Sequence, residues 1–320
     1  MNETLTAIPG IQVGHFSDTE AATGCTVILC PPETVASVDV RGGAPGTRET
    51  DLLDPTRSVK HIHALVLSGG SAYGLAAATG VMNYLEEQGV GYRTASGHLV
   101  PIVPSAIVFD LALGDSMRRP DAAMGYAACL NASDSPVTQG TVGAGTGCRV
   151  AALMGNDFAT KGGVGSALIQ LDESLMVAAL AVVNAVGEIL DEQGNILAGL
   201  RGSNGGYYPV LEALRGIIGG ASKPRTHSGE NTVIGVVATN ARLTKVEARK
   251  VAEMAHDGLA RAVRPAHTQY DGDTLFALAT GEHPADVNVI GAFGAEVMAQ
   301  AIRNAVRAAT SLYGVRALND

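Results

Sequence analysis

The sequence predicts a layered α/β sandwich, built as a single domain over residues 1–320. Three observations predict it. Strand-like and helix-like segments alternate along the chain, but without the regular βαβ period that a doubly wound parallel sheet requires. Hydrophobic residues make up 46% of the 320 and charged residues 17%, which is enough apolar material for a sizeable core and excludes wholesale disorder. Glycine occurs 40 times while aromatics reach only 4%, with no tryptophan, which favours tight turns and close backbone approach.

The elements follow in order. Residues 10–30 predict short strands, with Gly24-Cys25-Thr26-Val27-Ile28-Leu29 the clearest apolar run, and Arg41-Gly42-Gly43-Ala44-Pro45-Gly46-Thr47 predicts a loop. Residues 62–67 predict a strand, Ser68-Gly69-Gly70-Ser71 a turn, and residues 73–88 a helix with Leu75, Thr79, Met82 and Leu85 near one face. Residues 102–113 are apolar, and Gly143-Ala144-Gly145-Thr146-Gly147 marks a close backbone approach. A long strand is expected over residues 175–183 with Asn184 at its end, then a hairpin over 189–196 turning at Gln193-Gly194. Residues 199–230 break the composition with Gly, Ser, Pro and charge, as in Ser222-Lys223-Pro224-Arg225. They predict a surface excursion holding one short helix near 211–217. Residues 232–239 (TVIGVVAT) are a β-branched strand. Thr244 and Glu247 make an S/T-x-x-E capping box that opens a helix to about residue 263. A strand over 274–280 and an alanine-rich helix over 289–312 close the chain, and no internal repeat is present.

The net charge of −9 excludes the basic face that nucleic acid or an anionic membrane requires. Met1-Asn2-Glu3-Thr4 lacks the basic and apolar regions of a signal peptide. The longest apolar stretch, residues 175–186, is too short to span a bilayer and is interrupted by Asn184. Cys25, Cys30, Cys129 and Cys148 form no CxxC pair and have no histidine at zinc spacing, so buried thiols in a reducing cytoplasm are expected. His61 and His63 flank Ile62 on one side of a strand without a third ligand, and no metal site is predicted.

Three segments carry candidate chemistry. Gly69-Gly70-Ser71-Ala72-Tyr73-Gly74 lies between a strand and a helix and approaches the nucleophile elbow G-x-S-x-G, but Tyr73 stands where close packing demands glycine. A pocket wall at a helix N-terminus is the preferred reading of Ser71 and Tyr73, with a Ser71 serine hydrolase the alternative. Asp271-Gly272-Asp273 could point two carboxylates together off a turn to orient a cation. On spacing alone, an ordinary Asp-Gly turn before a strand fits better. At Asn231-Thr232 a polar loop runs into a buried strand whose first residue carries a hydroxyl. Cutting the bond between them would give Thr232 a free α-amine, whose unperturbed pKa near ~8 suits a general base at neutral pH. The residues alone favour a strand that merely begins with threonine.

Taken together, these segments resemble the DmpA-type L-aminopeptidase/D-amidase family, and within it the nylon-oligomer (6-aminohexanoate-oligomer) endo-hydrolases. The resemblance covers nearly the whole chain in order. It rests on Gly10-Ile11-Gln12-Val13-Gly14, Arg41-Gly42-Gly43-Ala44, Gly69-Gly70-Ser71-Ala72-Tyr73-Gly74-Leu75, Gly143-Ala144-Gly145, Asn184-Ala185-Val186-Gly187, Gly229-Glu230-Asn231-Thr232 and His267-Thr268-Gln269-Tyr270-Asp271-Gly272-Asp273-Thr274. It implies an αββα sandwich and a self-processing hydrolase of short peptides, amino-acid amides or 6-aminohexanoate oligomers, cut into residues 1–231 and 232–320. Thr232 takes the place of the family's nucleophile, Asp271 and Asp273 that of its acidic or hydroxyl partners, and Asn184 that of its oxyanion donor. It also implies a homo-oligomer, a tetramer of αβ units, that needs no cofactor. Two positions depart from the pattern. The nylon-oligomer hydrolases carry a lysine shortly after the Gly-Ala-Gly loop, where this chain reads Cys148-Arg149-Val150-Ala151-Ala152, leaving Lys161 as the candidate substitute. A tyrosine near their pocket is here Phe109. An N-acyltransferase of the ornithine acetyltransferase type and a non-catalytic small-molecule-binding oligomer stand as further alternatives.

Overall fold

The computed structural model describes residues 2–202, 205–218 and 230–320. Strand β1 (Gln12–Asp18) turns back through Ala22, at a left-handed φ of 54°, into β2 (Thr23–Leu29). β3 (Val35–Val40), the short β4 (Thr47–Arg48) and β5 (Ala64–Ser68) follow, then helix α1 (Ala77–Glu87), strand β6 (Ser105–Ile107) and helix α2 (Ala122–Leu130). The second half comprises β7 (Gly163–Gln170), β8 (Met176–Asn184), the hairpin β9 (Glu188–Leu190) and β10 (Ile196–Ala198), and α3 (Val210–Ile218). β11 (Thr232–Arg242), α4 (Lys245–Ala262), β12 (Thr274–Pro284) and α5 (Val287–Arg307) complete it.

The strands form two five-stranded sheets, ordered β1-β2-β5-β6-β4 and β7-β8-β11-β12-β3. Neighbours are antiparallel except β5 with β6 and β11 with β12. Strand alternation explains how the sheets stack. In β8, Ala178, Leu180 and Val182 join Ile28, Leu65 and Leu67 of the first sheet in the core between the sheets. The intervening Val177, Ala179, Ala181 and Val183 meet Val251, Ala255 and Leu259 of α4 and Val297 and Ile302 of α5. The opposite face of the first sheet buries Cys25, Val27 and Val66 against Val81 of α1 and Ala128 of α2. Four layers result, α–β–β–α, as the family resemblance implies. Strands covered on both faces lose the polar half of the usual alternation, which is why β8 and β11 appear in the sequence as unbroken apolar runs.

Most expected elements are present within a few residues. The capping box is formed, with Thr244 N–H donating to Glu247 Oε2 at 2.7 Å and Glu247 N–H donating to Thr244 Oγ at 3.3 Å. The helix expected from residue 73 opens as a 3-10 segment, Ser71–Ala76, and becomes α-helical only at Ala77. The terminal helix ends at Arg307 rather than 312, and only Ser105–Ile107 of the apolar 102–113 stretch is strand. Helix α2 is an addition: its small residues Gly125, Ala128 and Cys129 face the core, so it carries little amphipathic signal. Of the excursion expected over 199–230, residues 203–204 and 219–229 lie outside the described residues, and α3 occupies 210–218. Among the described residues, no helix is long and apolar enough to cross a membrane.

Candidate active site

Three strands of the second sheet converge at one end. β8 finishes at Asn184, which is paired across the ladder with Thr232, the first residue of β11. β11 runs parallel to β12, so the segment leading into β12 lies beside the segment leading into β11, and Asn231 bridges to Asp271. Residues far apart in sequence are thereby gathered. Asn184, Asn231, Thr232, Asp271 and Asp273 are all buried, with Thr232 only 2% exposed.

The hydroxyl of Thr232 donates to the carbonyl oxygen of Asn231, its own upstream peptide. The same oxygen accepts the Gly272 N–H at 3.1 Å. Asn184 is fixed by the Arg149 N–H, which donates to its Oδ1 at 2.9 Å. Its Nδ2 donates to the Phe109 carbonyl at 3.0 Å and the Glu230 carbonyl at 3.3 Å, one residue upstream of the Asn231–Thr232 bond.

The two aspartates have different environments. Asp273 accepts Val233 N–H on Oδ1 at 2.8 Å, and on Oδ2 the His267 N–H at 2.9 Å and ring Nδ1 at 2.8 Å. Asp271 accepts Thr268 Oγ at 2.6 Å and Thr268 N–H at 3.2 Å on one oxygen, and Val186 N–H at 3.3 Å on the other. Burial, reinforced by the neighbouring Asp273 charge, pushes the Asp271 carboxyl up to about 7. The Arg41-Gly42-Gly43-Ala44 loop clamps this segment: the N–H groups of Arg41 and Gly42 donate to the Asp273 carbonyl and that of Ala44 to the Asp271 carbonyl. A Cβ on Gly42 would lie 2.2 Å from Asp273 N, so only glycine fits there.

The remaining candidates fall around this centre. Lys161 is fully buried, and its ammonium donates to the carbonyls of Gly145, Cys148 and Gly162 at 2.9–3.1 Å. Burial lowers it to about 8. Its three protons tie together the loop that presents Arg149 N–H to Asn184. Phe109 contributes its carbonyl to Asn184. Ser71 sits at a left-handed φ of 54°, its N–H donating to the Val108 carbonyl, and no histidine or carboxylate among the described residues hydrogen-bonds its hydroxyl. Tyr73 is 63% exposed, with the Arg119 guanidinium 3.9 Å above its ring. His61 and His63 line a separate surface cavity of about 640 Å³ together with Cys30 and Lys60. Among the described residues, no group of three or more His, Cys, Asp or Glu side chains is arranged to hold a metal ion. Burial raises all four thiols to about 12. Sequence reasoning missed the Gly272 N–H and the His267 ring. The first is backbone and leaves no side-chain signal, whereas His267 belongs to the His267–Thr274 motif, in which the resemblance gives it no role.

Comparisons with known proteins bear on the family and the fold. The model of peptidase family S58 matches residues 3–319. An uncharacterised aminopeptidase of Mycobacterium leprae (strain TN) is 45% identical, over 98% of this chain and 92% of that protein. A 6-aminohexanoate-oligomer endohydrolase of Kocuria sp. (strain KY2) is 32% identical, over 93% of this chain and 84% of that protein. Among solved structures, a Burkholderia sp. beta-aminopeptidase superposes with a TM-score of 0.73 at 23% identity, covering 99% of this chain and 90% of its own. The L-aminopeptidase D-Ala-esterase/amidase of Ochrobactrum anthropi, described as a variant of the Ntn hydrolase fold, superposes with a TM-score of 0.71 at 20% identity, covering 96% and 86%. The fold is therefore the DmpA-type variant of the Ntn hydrolase sandwich.

Proposed function

Because the chain belongs to peptidase family S58 and is an amide hydrolase, we propose that it works as a self-cleaving N-terminal threonine hydrolase with Thr232 as nucleophile. The observation that carries this reading is the placement of the Thr232 hydroxyl on the Asn231 carbonyl, whose oxygen already receives the Gly272 N–H. In maturation, Thr232 Oγ bonds to the Asn231 carbonyl carbon, the Asn231–Thr232 C–N bond breaks, and the departing nitrogen takes the hydroxyl proton. The Gly272 N–H stabilises the oxyanion formed on the way. Water then adds to the Asn231 ester, releasing the Asn231 carboxylate and restoring the hydroxyl. Two associated pieces remain, residues 1–231 and 232–320.

In turnover the new α-amine takes the Oγ proton as Oγ attacks a substrate amide. Departure of the upstream segment frees the Asn184 proton now given to the Glu230 carbonyl, making it available to the substrate oxyanion. Asp271 and Asp273 hold the ammonium form of the base, or an amine of the substrate, in register. Water releases the acyl group, and the chemistry calls on no cofactor. Short peptides, amino-acid amides and 6-aminohexanoate oligomers are the proposed substrates, in keeping with aminopeptidase and oligoamide-hydrolase relatives. We place the enzyme in the cytoplasm as a homo-oligomer, a tetramer of cut units. Exposed Val246, Val289 and Phe293 on α4 and α5 are apolar side chains such an assembly would cover.

Intact-mass measurement tests the reading. Active wild-type protein should contain a species beginning at Thr232, and Thr232→Ala should stay a single chain without hydrolytic activity. An uncut, fully active enzyme, or an active Thr232→Ala, would end the proposal.

A further inference from the structure

Asp273 is held by three N–H donors, and His267 supplies two of them, its backbone and its ring, both to Oδ2. The residue reaches this double contact by adopting a left-handed φ of 57°, which side chains other than glycine occupy mainly as Asn, Asp or His. Because the carboxylate accepts at Nδ1, the ring proton is assigned to that nitrogen. Behind His267 stands His256, its ring edge-on with centroids 4.8 Å apart. His256 is fully buried, and burial lowers it to about 4, so it faces His267 as a neutral ring at pH 7. Beyond it, Asp39 is paired with Arg41 and Arg249, each at 2.7 Å. The Asp273 charge in turn acts on the Asp271 carboxyl. The charged groups around His267 are thus Asp273, which it contacts, and, behind His256, a cluster in which Arg41 and Arg249 are balanced by Asp39 and Glu253.

Burial, and the Asp273 charge beside it, disfavour a second negative charge on Asp271, whose carboxyl is pushed up to about 7. Building on the role given to the aspartates above, we propose that His267 is a positioning residue that fixes the charge on Asp273, so that the neighbouring Asp271 keeps its proton. Asp271 is held less tightly: its N–H contacts, from Thr268 and Val186, are 3.2 and 3.3 Å long, and the shortest contact comes from a threonine hydroxyl, which can rotate to accept from a protonated carboxyl as readily as donate to a carboxylate. The consequence is functional asymmetry. Asp273 is the anion that orients the Thr232 ammonium, and Asp271 is the neutral, proton-bearing partner.

Variants that move the ring donor provide the test, read as kcat and KM against pH on matured enzyme with an amino-acid p-nitroanilide. His267→Asn places an amide N–H where Nδ1–H stands and tolerates the left-handed backbone, so it should stay within about threefold of wild type with an unmoved acid limb. His267→Leu removes the donor. It should lose roughly 10- to 100-fold in kcat at pH 7 with little change in KM, and its acid limb should move to higher pH, because the anion that the ring donor held is no longer stabilised. Should His267→Leu fail to mature, His267→Gln serves, because its amide N–H reaches only the Nε2 position and the same loss and shift are expected. Equal losses in the Asn and donor-less variants with an unmoved limb would assign His267 a purely structural role and overturn the proposal, as would a wild-type profile without the donor. Failure of the wild-type protein to cut itself would instead refute the Thr232 assignment, so the two failures are separable.

Discussion

Gly272 gives its backbone N–H to the Asn231 carbonyl oxygen, the oxygen on which the Thr232 hydroxyl also rests. The contact joins the segment before β12 to the bond before β11, and it exists because the two strands run parallel from a common end. A Cβ at residue 272 would lie 2.6 Å from the Ala44 carbonyl and 3.0 Å from Thr232 Oγ. Gly272→Ala must therefore displace either the clamp loop or the Thr232 hydroxyl. Loss of one preorganised oxyanion donor costs about 100- to 1,000-fold. Gly272→Ala is expected to accumulate full-length chain that is cut slowly or not at all, read as the half-time of fragment appearance on denaturing gels. Maturation at the wild-type rate would remove Gly272 from the mechanism.

Asn184 is the second donor to test. Its Oδ1 is held by Arg149 N–H and its Nδ2 donates to the Glu230 carbonyl, next to the Asn231–Thr232 bond. Asn184→Ala should lower kcat by about 100- to 1,000-fold while KM changes little, since the lost contact is made chiefly to the transition state. It also leaves the Arg149 N–H without a side-chain acceptor, at a cost of about 1–3 kcal/mol, so the melting temperature should fall as well. A variant with lower stability but unchanged kcat would make Asn184 a structural residue only.

Particular residues show how far the sequence carried this reading. β8 and β11 were legible because layers cover both of their faces, leaving apolar runs that only buried strands tolerate. The Thr244–Glu247 box was legible because it is local. β3, with buried Ser37 and Asp39, and β7, with Gly163 and Gly165, carry no clean alternation and were missed. At the site, Thr232 stood out only through the collinear resemblance, since a hydroxyl opening a strand is common. The Gly272 and Arg149 N–H groups are main-chain donors that any residue but proline supplies. The pairing of His267 with Asp273 depends on a backbone angle that spacing does not reveal. Lys161 was legible as an unplaced lysine, and tertiary structure alone shows that its charge is spent on three carbonyls.

Asp271 makes stability depend on pH. Its folded-state carboxyl lies at about 7 against an ordinary value of 3.8, so between those values the folded protein binds more protons than the unfolded chain. Stability from this group is complete below the lower value and is lost as pH rises through the upper one. The uncut Thr232→Ala protein should therefore melt at lower temperature at pH 8 than at pH 5, with a contribution on the order of a few kcal/mol. Asp110, raised to about 6 by burial, acts in the same direction and adds to the slope. Asp271→Asn, a neutral mimic of the protonated acid, should remove only its own share, raising stability at pH 8 more than at pH 5. An unaltered slope in that variant would show that Asp271 is ionised throughout.

Lys161 separates a pocket residue from a structural one. Its ammonium is wholly enclosed, and the carbonyls of Gly145, Cys148 and Gly162 take all three of its protons. Lys161→Met keeps the aliphatic stem and volume but leaves those acceptors unsatisfied, at a cost of about 1–3 kcal/mol for each one that water does not reach. The loop they belong to delivers Arg149 N–H to Asn184, so the loosened loop should also blur the Asn184 amide and lower kcat. The expected pattern is a lower denaturation midpoint, reduced kcat and a nearly constant KM across amides of different acyl length. A lysine that touched substrate would give the reverse, with stability preserved and KM raised most for the substrates that reached it. Denaturation midpoints and steady-state kinetics on a short series of amides distinguish the two.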